Sequence, residues 1–165
     1  MTHEEKTHDD ELEIIRDITA DARIASLTTI TAAGEPRSRP VALIEDEFNG
    51  ILWFFTEDPS EKTQELRSNP RVNVAISSDK GYLSITGTAT VSRDQAEIDR
   101  LWNPWAESWF EQGRDDPRVA LIRVDASVVN YWDTDRPLVA KAYEFVKGLL
   151  QPQSPDMGDT GTVRM

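Results

Sequence analysis

The chain has 165 residues, with 30 acidic and 18 basic side chains that give a net charge of −12 at pH 7. This length fits one domain with its own hydrophobic core, and the negative charge disfavours binding to nucleic acid or anionic lipid. The absence of cysteine excludes disulfides, thiolate metal sites and cysteine nucleophiles.

The first ten residues are polar and are predicted to form a flexible tail. They hold the only two histidines, His3 and His8, so neither histidine catalysis nor a histidine metal site is expected. The N-terminus lacks the apolar segment of a signal peptide, and no run of about 18 apolar residues predicts a membrane span. A cytoplasmic protein without membrane contact is therefore expected.

Apolar residues recur at helical spacing over residues 11–22, which predicts a short amphipathic helix. Two β-branched segments, 22–31 and 38–45, flank a turn at 33–36 and are predicted to pair as a hairpin. A second turn ends in Asn49-Gly50, a dipeptide typical of hairpins, and residues 51–56 form the predicted third strand.

Asp58, Pro59 and Glu61 together predict the start of a helix, with Asp58 as its N-cap and Pro59 as its first residue. This helix should end before Asn69, because Pro70 disfavours helical angles in the residue that precedes it. Alternation at 72–76 predicts a fourth strand, and a turn at Asp79-Lys80-Gly81 leads into a predicted fifth strand over 82–92. A glycine within the fifth strand, Gly87, indicates a bulge or a sharp bend.

Two short helices are predicted next, one after Asp94 that ends near Trp102 and one that starts at Pro104. Residues 119–133 alternate and are rich in valine, which predicts a long sixth strand. Residues 140–150 are predicted to be helical, and 151–165 form an extended tail rich in proline and glycine. The predicted domain therefore spans 11–150, between two tails.

The pattern has no βαβ alternation and no Gly-x-Gly-x-x-Gly motif. About six strands and four short helices, with hairpins early in the chain, favour a mainly β fold. We predict a small six-stranded antiparallel barrel with helices attached at its ends.

The junction between the third strand and the helix that follows is the first candidate site. Helix N-termini attract anions, and Ser60 and Lys62 would add a hydroxyl group and a positive charge. The competing interpretation is a well-capped surface helix, because Asp58 and Glu61 can satisfy the same amides and would repel phosphate. Spacing alone leaves both interpretations open.

Arg39 is the second candidate, because arginine is well suited to bidentate phosphate recognition. It could equally be a surface residue paired with a carboxylate. Trp102, Trp105 and Trp109 are expected on one helical face, where they would either stack on a planar ligand or form core or a subunit interface. No pair of carboxylates is isolated by its spacing, and no Gly-x-Ser-x-Gly motif is present.

Several segments together resemble the FMN-binding split barrels of the pyridoxamine 5′-phosphate oxidase-like superfamily, and within it the general stress protein 26 family. The resemblance runs from about Leu12 to the C-terminus. It rests on the order and spacing of ASLTT (25–29), SRP (38–40), WFFT (53–56), SEK (60–62), NPRVNV (69–74), YLSITGTA (82–89) and YW (131–132).

This resemblance implies a split-barrel homodimer with FMN, or alternatively FAD, in two clefts between the subunits. It implies that Lys62 contacts the flavin phosphate, with Ser60 two residues before it. Trp132 would come from the other subunit, and Tyr82 stands where the oxidases have a flavin-contacting glutamine. The remaining positions that would line the flavin are Ser38, Arg39, Pro40, Val41, Phe55 and Thr56.

The chain also departs from the oxidases of this superfamily. Glu61 stands where they often have a second basic residue, and Ile44 replaces their substrate-contacting lysine. Their Tyr, Arg and Ser set for pyridoxal phosphate has no counterpart around 105–110. We therefore expect no pyridoxamine phosphate oxidase activity.

The resemblance leaves two functions open. One is a flavin-dependent oxidoreductase that acts on a small molecule. The other is a stress protein that stores or senses flavin without turnover. A nucleic-acid-binding barrel is a third interpretation, which the charge of −12 disfavours.

Overall fold

The computed structural model describes residues 6–134 and 160–165 of the chain. Its elements in chain order are α1 (His8–Asp21), β1 (Ile24–Ile30), β2 (Pro36–Ala42), β3 (Ile51–Glu57), α2 (Glu61–Ser68), β4 (Arg71–Ser78), β5 (Gly81–Ser92), α3 (Gln95–Leu101), α4 (Pro104–Trp109), β6 (Val119–Asp133) and β7 (Thr160–Arg164). None of the described helices is both long and apolar enough to cross a lipid bilayer.

The strands form one antiparallel sheet in the order β2-β1-β4-β5-β6-β3, with β7 also paired to β6. The predicted mainly β antiparallel fold is confirmed, with seven strands in the described residues instead of six. The sheet does not close, because its two end strands, β2 and β3, are not hydrogen-bonded to each other. We call the gap between β2 and β3 the split.

The first predicted hairpin is confirmed, because β1 pairs with β2 from Ile24–Ala42 to Ile30–Pro36. The hairpin expected at Asn49-Gly50 is wrong. Although Gly50 has the positive φ of a turn, β3 leaves β2 and pairs with β6 instead. A local turn signal could not reveal this, because the apolar pairing between β3 and β6 joins segments about 70 residues apart.

Strand alternation sorts the apolar side chains into two clusters. Phe54 points into the barrel, whereas its neighbour Phe55 points outward into a smaller cluster. The barrel cluster includes the buried Ile15 and Ile18 of α1, which begins at His8, three residues earlier than predicted. The outer cluster anchors α3 and α4 against β6 through buried Ile98, Leu101, Ala106, Phe110 and Leu121.

The predicted bulge in β5 is confirmed, because its register with β6 shifts between Thr86 and Gly87. A Cβ atom at Gly87 would lie 2.2 Å from the carbonyl oxygen of Asp125, so only glycine fits this close approach.

The described end of the C-terminal segment, residues 160–165, contains β7. Val163 of β7 is buried in the barrel cluster, and Gly161 lies against the ring of Tyr131. The helix predicted at 140–150 falls outside the described residues.

Candidate functional site

The split holds a cavity of about 450 Å³ between β2, β3, the start of α2 and the outward face of α4. Seven of the ten predicted site residues line it: Arg39, Pro40, Val41, Phe55, Thr56, Ser60 and Lys62. The fold thus brings together three sequence segments that were identified separately.

α2 begins two residues later than predicted, with Ser60 as its N-cap in place of Asp58. Ser60 Oγ accepts a hydrogen bond from the amide of Thr63, and the Ser60 amide donates to Thr63 Oγ1 at 2.9 Å. Glu61 and Lys62 are the first helical residues, and within the described chain their amides donate no hydrogen bond. Two free amides therefore lie at the end of this eight-residue helix that borders the cavity, where the helix dipole favours an anion.

Asp58 does not cap the helix, because basic side chains hold its carboxylate. Its side chain is only 2 % exposed and accepts two hydrogen bonds of 2.7 Å from Arg67 and further ones from Arg93 and Thr63. The hydrogen bonds from Arg67 lower the pKa of Asp58 most; burial opposes this, and Thr63 and Arg93 lower it further. The negative charge of Asp58 is therefore compensated and does not repel an anion at Lys62.

Lys62 lines the cavity half-buried, with no hydrogen bond or ion pair to any residue in the described segments. Burial lowers the pKa of its ammonium group and the positive charge of Arg39 lowers it further, while Glu57 opposes the shift. A desolvated cation in this position is stabilised by an anion, so Lys62 is poised to bind one.

Arg39 combines the two interpretations that its sequence context left open. It donates to Thr29 Oγ1 at 2.7 Å and to Glu65 Oε2 at 2.9 Å, so it is indeed paired with a carboxylate. It also lines the cavity, and these two bonds use only two of the five N–H donors of a guanidinium group.

Glu65 is buried beneath Arg39. Burial alone would raise the pKa of this carboxyl group, but hydrogen bonds from Thr29 and Arg39 and the charges of Arg39 and Arg37 lower it on balance. The carboxylate of Glu65 holds the guanidinium of Arg39 in place.

Arg37 is a cavity residue that the sequence analysis missed. It lies two residues before Arg39 on the same face of β2 and donates to Glu61 Oε1 and to Glu65 Oε1. The expectation that Glu61 simply crowds Lys62 with negative charge is therefore corrected, because Glu61 is paired with Arg37. The i, i+2 spacing of two arginines in a strand was the available signal.

The other three predicted residues, Ser38, Tyr82 and Trp132, line a second hollow of about 600 Å³ on the outer face of the sheet. β2 separates the two cavities, and Arg39 and Pro40 border both. Tyr82 and Trp132 face each other across the β5–β6 pair and are 42 % and 37 % exposed. One chain alone therefore does not place these two aromatic side chains in the split.

The predicted tryptophan face is wrong for Trp102, which caps the end of α3 instead of lying on α4. Its ring packs edge-on against Phe55 with centroids 5.5 Å apart, and Nε1 donates to Glu107 at 2.6 Å. Trp105 and Trp109 do share a face of α4. Their rings stack 5.7 Å apart, nearly parallel, at the edge of the split.

Ile44, which stands at the place of the oxidases' lysine, packs against the outer cluster and lines a neighbouring hollow with Arg23 and Trp102. It does not line the split cavity. No basic side chain comes from this position.

Comparisons with known proteins show which family the chain resembles in sequence and in fold. The model of the family described as pyridoxamine 5′-phosphate oxidase like matches residues 10–156. Protein bli-3 of Neurospora crassa is 31% identical in an alignment of 124 residues that covers 68% of this chain, and the chain spans 59% of the length of that relative.

Two solved structures share most of the fold. A protein of Jannaschia sp. CCS1, provisionally classed as general stress protein 26, superposes with a TM-score of 0.76 and 26% identity, over 95% of this chain and 99% of its own. The general stress FMN/FAD-binding protein of Xanthomonas citri has a TM-score of 0.68 and 31% identity, over 80% of this chain and 94% of its own. The chain therefore belongs to the pyridoxamine 5′-phosphate oxidase-like family and is similar to its general stress proteins.

Proposed function

We propose that this protein binds FMN in the split and acts as a flavin-dependent oxidoreductase on a small molecule. The observation that carries the proposal is Lys62, a desolvated cation without an ion pair in the described chain, beside the two free amides that begin α2. A phosphate group would satisfy all three at once.

The residues present fit a flavin phosphate at this end of the cavity. The lining holds three cations (Arg37, Arg39 and Lys62) against two anions (Glu57 and Glu61), and the buried Glu65 behind the arginines is a third anion. The site is thus locally neutral in a chain of net charge −12. Beyond the charged end, Pro40, Val41 and Phe55 offer an apolar wall for a flat ring. The name of the Xanthomonas citri relative, which cites both FMN and FAD, supports a flavin without selecting one.

A homodimer is part of this proposal. Three exposed hydrophobic side chains, Ile24, Tyr82 and Trp132, surround the second hollow, and such patches are typical of interfaces. Because Arg39 and Pro40 border both cavities, a subunit docked on the hollow would bring its Tyr82 and Trp132 towards the split of its partner.

The bound flavin would supply the hydride or electron transfer. The chain would bind the phosphate through Lys62, hold Arg39 by means of Glu65 and shield the ring from water. We do not expect oxidation of pyridoxine 5′-phosphate, because Ile44 contributes no charge and α4 presents tryptophans to the split. A cytoplasmic location stays a prediction.

The second candidate is a flavin-binding stress protein without turnover. The names of the similar structures favour it, since they describe stress proteins and flavin binding without an activity. The two candidates differ in one measurement: FMN-loaded protein that oxidises NADH or NADPH faster than free FMN supports the oxidoreductase, and equal rates support the second candidate.

The first prediction is that freshly purified protein, or protein mixed with FMN and desalted, shows a flavin absorption band with close to one FMN per chain. The Lys62→Ala variant should retain clearly less FMN, because it removes the cation beside the two free amides. Protein that binds neither FMN nor FAD would refute the proposed function.

A further inference from the structure

The two exposed tryptophans of α4 need an explanation that the phosphate site does not provide. Trp105 is 42 % and Trp109 62 % exposed, although exposed tryptophans are unusual on a protein surface. The third tryptophan of this region, Trp102, is instead packed among Phe55 and Phe110. Of these three tryptophans, only the pair at the edge of the split is left open.

The helix that carries the pair is anchored to the outer cluster. Asn103 caps α4 by accepting a hydrogen bond from the amide of Ala106, and Ala106 and Phe110 are buried in the outer cluster. Residues 105 and 109 lie about one helical turn apart on the adjacent face, so their rings stack with planes 9° from parallel. Stacking of one ring on the other leaves an outer indole face available for a third ring.

The cavity has a cationic end and an aromatic end, an arrangement that suits a planar ligand with one anionic group. Pro40, Val41 and Phe55 connect the cationic end of the cavity, at Lys62, with the two indoles in a single space of about 450 Å³. A ligand with an anionic group at one end and a flat aromatic ring at the other would satisfy both ends.

We propose that Trp105 and Trp109 form a ring-stacking subsite for the isoalloxazine of the flavin whose phosphate lies at Lys62. This inference rests on the proposed function and adds two residues to the site. It assigns the pair to the ligand and not to contact with a second subunit, because the pair shares its cavity with the cations of the split.

The test uses the full-length protein and the quenching of flavin fluorescence by a stacked indole. We compare the wild type with Trp105→Leu, Trp109→Leu and the double variant, and measure FMN binding by ultrafiltration and emission of the bound flavin. We expect dark FMN in the wild type, brighter FMN in the variants and binding about 3- to 10-fold weaker in the double variant. Both side chains are exposed, so the variants should keep the melting temperature of the wild type.

Trp53→Leu is the matched control. Trp53 lies on β3, is half-buried against Arg123 of β6 and does not line the cavity. It should leave the emission of bound FMN unchanged. Equal affinity and equal quenching in the wild type and the double variant would overturn the inference while the proposed FMN site stands. Loss of the dimer in the double variant, with quenching intact, would assign the pair to an interface and overturn it as well. A wild type that binds no FMN would refute both proposals.

Discussion

At the scale of single residues, Glu61 determines how much positive charge the split offers to an anion. Its carboxylate pairs with Arg37, one of the three cations of the cavity. While this pair is formed, Arg37 is not available to bind a phosphate. The side chain of Glu61 is exposed, so this pair is weak and can open. Lys62 and the free amides of α2 remain available whether or not it opens.

Glu61→Gln should therefore tighten FMN binding by about 2- to 5-fold, the size expected when one exposed charge pair is removed. Titration calorimetry with FMN measures this change. Riboflavin, which has no phosphate, should bind both proteins equally. Glu13→Gln, an exposed change on α1, should leave the FMN affinity unchanged. Unchanged FMN affinity in Glu61→Gln would mean that the phosphate does not lie at this end of the split.

At the scale of elements, Asp58 connects the end of β3 and the first turns of α2 to the end of β5. Its carboxylate is bound by Arg67 of α2 and by Arg93, which follows β5 and also donates to the carbonyl group of Pro117. This network sets the position of α2 relative to the split. Arg67 and Arg93 are half-exposed, so solvent screens part of the attraction.

Asp58→Asn should lower the free energy of unfolding by about 2–3 kcal/mol near neutral pH, because it leaves two arginines beside a buried neutral group. The folded-state pKa of Asp58 lies below its usual value of 3.8. The contribution of the Asp58 carboxylate to the free energy of unfolding is thus fully present above about pH 4 and is lost as the pH falls below that value. Urea unfolding at several pH values measures the difference.

The gap in stability between the wild type and Asp58→Asn should consequently narrow as the pH falls from about 4 towards the lowered pKa. Asp115→Asn, an exposed change in the loop before β6, serves as the control and should alter stability little at any pH. A gap that stays constant down to the acid range would show that the ionised carboxylate is not what stabilises the junction.

At the scale of the whole molecule, two exposed aromatic surfaces are candidates for a subunit interface. One is the pair of Trp105 and Trp109 at the split, and the other is the hollow around Tyr82 and Trp132. We assign the first to the ligand and the second to the partner subunit, so the same kind of substitution should act differently on the two surfaces.

Trp132→Glu should convert the proposed dimer into a monomer, because it would place a charge in the proposed apolar interface. Trp109→Glu should leave the dimer intact. Light scattering across a concentration series measures both masses. A wild-type monomer would contradict the dimer, and a monomeric Trp109→Glu beside a dimeric Trp132→Glu would reverse the assignment of the two surfaces.

Local sequence predicted most of the elements, because their signals act over a few residues. Alternation located β4 and β6, and a turn located the start of β5. Proline located the end of α2 and the start of α4, and Gly87 indicated the bulge. The resemblance, carried by short segments in the right order, pointed to the family that the comparisons confirm.

The tertiary structure alone decided which segments meet. Asn49-Gly50 indicated a hairpin, yet β3 pairs with distant β6, and this is what leaves the split open between β2 and β3. The charges of Asp58 and Glu61 looked repulsive in sequence, but Arg67, Arg93 and Arg37 reach them from other positions in the fold. The sequence by itself determined the residue types of an anion site beside an apolar strand. Long-range packing decided which of those charges remains available, because burial and ion pairing depend on the neighbours that the fold supplies.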